Sequence, residues 1–396
     1  MRSAKLLVPA VGTSQTLAYG TTSYLPAILA PSMAASLGLP VSTIFLGLTT
    51  ALITAALAGP WAGKWVDTGQ GRGVLLTAHL LYMLGLFALG MSTGLWTLLG
   101  AWVILGIGMS LGQYEAAFSI LTSYYGRAAR PHITGITLIA GFASTICWPL
   151  STLMDQTIGW RQACWVWALC HLLLAIPLLF LILPKRPLVN HSQTQEPGEE
   201  SGSPVPATLS REVIVLGFLF FVTWFTTGSM GAYLPLILSG LGMSTEQAVG
   251  IASLMGPMQV VARFSESLFL KKFHPLTGAR IAGFLHPIGA VLLLGAGPVM
   301  APVFTMLHGA GNGILTIAKG TLPLALFGPK GYGLRQGMLM IPARIGMAAA
   351  PFTFGLAVET WGSHAVLITG GLTLAATLSL FSIHGRNPNA LHPQPI

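Results

Sequence analysis

The stretch PKRPLVNHSQTQEPGEESGSPVPATLSR, residues 184–211, is polar and rich in Pro, Ser, Glu and Gly, the composition of a flexible linker. Its surroundings make it decisive. The chain has 396 residues, 53% of them hydrophobic and only 7% charged, with a mean hydropathy of +0.73. A soluble domain carries about 25% charged residues. This chain lacks the charge to cover a wet surface and reads as a membrane protein. Its 48 Gly and 26 Pro agree, since both are commoner in membrane helices than in soluble ones.

Outward from the linker, segments of the roughly 20 apolar residues that a spanning helix needs number twelve. They lie near 6–34, 41–63, 73–92, 95–124, 131–154, 160–183, 212–240, 245–270, 276–297, 300–325, 334–358 and 362–384. The first is too long for a signal-peptide core and reads as the first span. The expected fold is all-α, with six-helix bundles at 1–183 and 212–386, the linker at 184–211 and a tail at 387–396.

Basic residues orient the spans by the positive-inside rule. Arg2, Lys5, Lys64, Arg72, Arg127, Arg130, Lys185, Arg186 and Arg211 assign one side, continued by Lys271, Lys272, Arg280, Lys319, Lys330, Arg335 and Arg386; Arg161 falls opposite. Both termini and the linker are expected in the cytoplasm, in a bacterial inner membrane. Arg263 and Arg344 remain inside spans.

The halves echo each other. Gly59-Pro60 reappears as Gly256-Pro257, Gly106 and Gly108 as Gly309 and Gly311, and Gly126, Gly135 and Pro149 as Gly328, Gly337 and Pro351. An ordered series of this kind indicates a duplicated six-helix unit, which suits a midplane site and alternating access.

The loop after the second span, GKWVDTGQGR at 63–72, resembles the signature of the major facilitator superfamily through Gly63, Asp67, Gly71 and Arg72, with one extra residue before the later Gly and Thr68 in place of a basic residue. The resemblance implies a gating role for this loop. A narrower likeness is to the monocarboxylate and organic-anion branch. It rests on QVVAR, with Arg263 in the branch's arginine position and Gln259 where the branch has an aspartate; on YYGRAARPHITGITLIAG; and on Gly159-Trp160-Arg161. It implies secondary transport of a small organic anion, a carboxylate, with protons as possible partners. Gln259 cannot carry a proton as an aspartate would.

The polar residues within the spans are candidates for the site. Gln259, Arg263 and Glu266 form an i, i+4, i+7 stripe, and a charge at a bilayer centre costs about 2.5–3.5 kcal/mol by insertion scales. Arg263 and Arg344 can clamp a carboxylate through bidentate hydrogen bonds or form structural pairs, Arg263 with Glu266. Glu115 is either a proton carrier or a neutralising partner of Arg344, Arg263 or Arg127. Glu266 is the second coupling candidate, or a pair for Arg263 or Lys319. Gln15, Tyr19 and Thr22 form another stripe, and Tyr114, Trp224, Tyr233 and Asn312 can line the same cavity, against packing or helix–helix hydrogen bonding.

Other classes fit less well. No phosphate-binding loop is present, and no constellation suggests an enzyme. The three cysteines show no zinc spacing. Methionines 255, 258, 306, 338, 340 and 347 near His286 and His308 raise copper(I) import, but core packing accounts for them. Drug or metabolite efflux is the main alternative. No cofactor, metal or nucleic acid is expected, and the chain should act as a monomer.

Overall fold

A computed structural model describes residues 2–184, 210–270 and 273–383, and these are helical with no strand among them. The linker expectation falls almost wholly on residues outside the described ones, as do the tail at 387–396, Lys271 and Lys272.

The first six passes are α1 (Arg2–Gly20) with α2 (Leu25–Leu37), α3 (Val41–Asp67), α4 (Gly71–Gly90), α5 (Leu95–Gly112) with α6 (Tyr114–Tyr125), α7 (Arg130–Ala140) with α8 (Ala143–Ile158), and α9 (Trp160–Cys170) with α10 (Ile176–Ile182). The second six are α11 (Arg211–Ser239), α12 (Thr245–Ala252) with α13 (Met255–Ser265), α14 (Pro275–Ala296), α15 (Ala301–Phe327), α16 (Tyr332–Trp361) and α17 (Val366–Ser379). Among the described residues, eight helical stretches are long and apolar enough to cross a membrane, and one of them, Pro275–Phe327, is the α14–α15 hairpin. Passes 1 and 8 are each split into two shorter helices, whereas α16 runs unbroken for 30 residues.

The interruptions serve the interior. Pass 1 turns over residues 21–24. Pass 4 breaks at Gln113, whose extended backbone (ψ −174°) starts a new helix and puts Glu115 in its first turn, where a helix favours an anion. Pass 6 contains a wide π turn, His171–Ala175, and pass 8 ends in another, Glu266–Leu270.

The largest apolar core is built from the first half, joined by Leu324 and Tyr332. The second half has two cores of its own, one around Leu219, Leu276 and Leu322 and one around Met230, Phe304 and Phe354. Between the halves, α3 crosses α16 on facing glycine pairs. A side chain on Gly63 would collide with the Gly333 carbonyl, and one on Gly337 with the Gly59 carbonyl. Small residues four apart allow such backbone contact in membranes.

Candidate functional site

The site begins with one carboxylate. Glu115 Oε1 accepts from Lys319 Nζ at 2.9 Å and Oε2 from Arg344 at 3.2 Å. Arg344 also donates to the Ala55 carbonyl at 2.6 Å. All three side chains are buried. Trp224 lies 4.6 Å and Tyr114 5.2 Å from the Lys319 ammonium, both within cation–π range. Tyr19 leans on Tyr114 with ring centroids 4.6 Å apart. A cavity of about 10 Å³, room for roughly one water, lies beside Glu115, Ser110 and Arg344.

Lys319 corrects the sequence reading, which counted it with the cytoplasmic basic residues. It sits well inside α15, 2% exposed, a buried cation of the second half like Arg263, Arg335 and Arg344. Glu115 is correspondingly not an isolated carboxylate. Of the partners weighed for it, Arg344 is present, and Lys319 joins it.

Arg263 is 5% exposed and reaches from α13 to α7. It donates to the Thr137 carbonyl at 3.1 Å, to Gln259 Oε1 at 3.2 Å and to the Gly313 carbonyl at 3.4 Å. Every one of these acceptors is neutral. The expected Arg263–Glu266 pair is absent among the described residues. Glu266 instead accepts from Arg130 at 2.9 Å, and Arg130 also donates to the Leu270 and Phe273 carbonyls. Both side chains reach α7, Arg263 at Thr137 and Glu266 at Arg130, about two turns apart along that helix. The same contact corrects the Lys319 alternative for Glu266.

Gln15 donates to the Gly112 carbonyl at 2.7 Å, and Thr22 lies 3.4 Å from the Gln113 side-chain amide, so this stripe faces the break in pass 4. Asn312 accepts from Thr227 at 3.0 Å, the helix–helix bond weighed for it. Tyr233 does not join the group. It packs on Phe354 in the far core of the second half, because nine residues along α11 place it about 13 Å from Trp224.

The loop residues hold the halves together at one end. Asp67 ends α3, and its two carboxylate oxygens accept from the Gly333 and Leu334 amides at 2.9 and 2.8 Å, in the first turn of α16. Asp67 thus caps a helix of the other half, where orphan N–H groups and the dipole favour an anion. Gly71 packs against Ile120, and Arg72 lies 4.2 Å over Phe180. At the opposite end α8 packs on α1, α2 and α9 of its own half, and a cleft of about 650 Å³ runs along Thr145, Trp148, Thr152 and Gln156. The halves are pinned at the Asp67 end.

The sequence profile described as Major Facilitator Superfamily matches residues 11–306. A relative from Thermoproteus tenax, described as an uncharacterized 38 kDa protein in the 23S RNA operon, is 24% identical over 364 residues, covering 90% of this chain and 89% of its own. The human organic anion transporter MFSD10 (TETRAN) has a similar structure, with a TM-score of 0.72 at 18% identity, covering 96% of this chain and 99% of that one. A double-tryptophan variant of XylE gives 0.78 at 15% identity, covering 96% and 95%. At such identities the likeness speaks for a shared fold.

Proposed function

This chain belongs to the Major Facilitator Superfamily, a family of transporters, and we propose that it is a secondary carrier moving a small organic anion, a carboxylate, across the cell membrane by alternating access. One observation carries the reading: Arg263, Lys319 and Arg344 are all buried, and among the described residues Glu115 is the one carboxylate paired with any of them, holding Lys319 and Arg344 while Arg263 meets neutral acceptors. Buried charge is costly unless paired. The excess favours an anionic guest, and the planar guanidinium of Arg263, bonded to neutral oxygens, suits a carboxylate. The name of MFSD10 points the same way.

Glu115 holds the place of an anion in the resting site. A proton on Glu115 would free Lys319 and Arg344 for the substrate, and proton and anion would then travel together with little net charge. In this reading Tyr114 and Trp224 flank the guest, and Gln15, Tyr19, Thr22 and Asn312 border its path. The linker, the termini and the Asp67 end lie in the cytoplasm, and the opposite end faces outward.

The test is uptake of radiolabelled carboxylates into proteoliposomes under an imposed pH gradient. The reading expects concentrative uptake by the native protein, with Glu115→Gln retaining exchange but losing accumulation. Uptake of neutral or cationic solutes alone, or a Glu115→Gln protein that still concentrates the anion, would overturn the anion or the proton part respectively.

A further inference from the structure

Away from the ion cluster, the first half buries a pair of histidines. His79 of α4 and His171 at the start of the π turn are both 0% exposed, with their Nδ1 atoms 2.8 Å apart. His171 Nε2 lies 2.8 Å from Thr21 Oγ1. The protons can be assigned by elimination. Thr21 gives its hydroxyl proton to the Leu17 carbonyl at 2.8 Å, so it must accept from His171 Nε2–H. A neutral His171 then has a bare Nδ1, and His79 must donate to it from Nδ1. His79 Nε2 is left as a bare acceptor, buried and without a hydrogen-bond partner among the described residues.

Two further atoms share that condition. The Tyr82 hydroxyl and Gln15 Oε1 are also buried and unpartnered. Tyr82 stands one turn from His79, its ring 5.6 Å from one imidazole and 5.1 Å from the other. Its hydroxyl occupies the space a side chain on Gly112 would need, and the Gly112 carbonyl receives the Gln15 amide. Unsatisfied polar atoms therefore mark a path from the border of the central site to His79.

The pair also joins two backbone irregularities, the turn at residues 21–24 of pass 1 and the π turn of pass 6. Interruptions of this kind mark places where a helix changes shape. Among the described residues no charged side chain stands against either imidazole. The groups facing the pair are Tyr82 and Thr21, and Glu115 and Arg344 are the charges within electrostatic reach of Tyr82.

We propose that Nε2 of His79 is a second proton-binding site of this protein, reached past Gln15 and Tyr82, and that a proton there loosens the His171–Thr21 link between the two irregularities. A second proton makes the pair cationic in a buried setting, which favours opening of the turn over the closed arrangement. This goes beyond the anion reading and does not depend on it.

The test uses the full chain in lipid nanodiscs without substrate. Nitrogen NMR of labelled histidines in the native protein should show His79 protonated at Nδ1 and bare at Nε2, with His171 of the opposite tautomer. Hydrogen exchange, corrected for its intrinsic pH dependence, should quicken by tenfold or more in segments 17–25 and 168–176 as pH falls from about 8 to 5. His79→Gln should abolish that response, and His286→Gln, which alters a buried histidine elsewhere, should leave it. A proton found on His79 Nε2 at neutral pH, or an unchanged response in folded His79→Gln, would overturn the proposal. If His79→Gln does not fold, the tautomers and the exchange response of the native protein decide.

Discussion

Lys319 Nζ donates to Glu115 Oε1 across 2.9 Å, tying together residues 204 positions apart and the two halves of the molecule. A buried pair broken on one side costs more than a pair removed whole, because the survivor is stranded. Arg344 remains to Glu115 when Lys319 is lost, so Lys319→Met should destabilise by about 3 kcal/mol or somewhat less. Adding Glu115→Gln should destabilise further, because it strands Arg344. Thermal unfolding in detergent measures both, and a double variant as stable as Lys319→Met, or more so, would deny the coupling.

The Asp67 clamp should control which end opens. Two charge-assisted bonds to the Gly333 and Leu334 amides are lost in Asp67→Ala. At about 1.5–3 kcal/mol for each such bond, the two amount to about 3 kcal/mol or more, and the population open at that end should rise about a hundredfold or more. A Ser110→Cys probe, buried beside Glu115, reports it through the rate of its reaction with a soluble thiol reagent. Equal rates with and without Asp67 would show that the cap does not hold the closed end.

His274 gives a pH dependence at the same end. It precedes α14, and its Nδ1 accepts from the Leu276 amide at 3.2 Å. Burial first, then Arg130 and Arg280, hold this histidine below its ordinary range. The folded value is therefore depressed. The cap's contribution is whole above the unfolded value of about 6.5 and is lost as pH falls through the folded one. His274→Asn should keep a cap and flatten that part of the stability profile. An unchanged acid slope would remove His274 from the account.

The twelve apolar segments and the six-plus-six division were legible because membrane helices declare themselves by length and apolarity. Arg263, Arg344 and Glu115 were legible because a charge inside a span needs a reason. Lys319 was missed because it lies toward the end of its span, where counting basic residues assigns it to a loop, although the flanking run TIAKGTLPLALF is as apolar as any span. The partner of Glu266 was not legible either. It depends on which residue of α7 packs against Glu266, and hydrophobic spacing carries no sign of that. Asp67 was legible as part of the loop signature; that it caps a helix 266 residues onward is a fact of packing.

The central claim, that the buried cations await an anion, is tested most directly by ligand stabilisation. The native protein and Arg263→Ala, both shown to be folded, are heated in the presence of small carboxylates, neutral sugars, amphiphilic cations and copper(I). The account predicts that a carboxylate raises the melting temperature of the native protein. It also predicts that Arg263→Ala binds that carboxylate about tenfold to a hundredfold more weakly, the worth of a charge-assisted bond of about 1.5–3 kcal/mol. Stabilisation by a neutral or cationic compound alone, retained in Arg263→Ala, would contradict it.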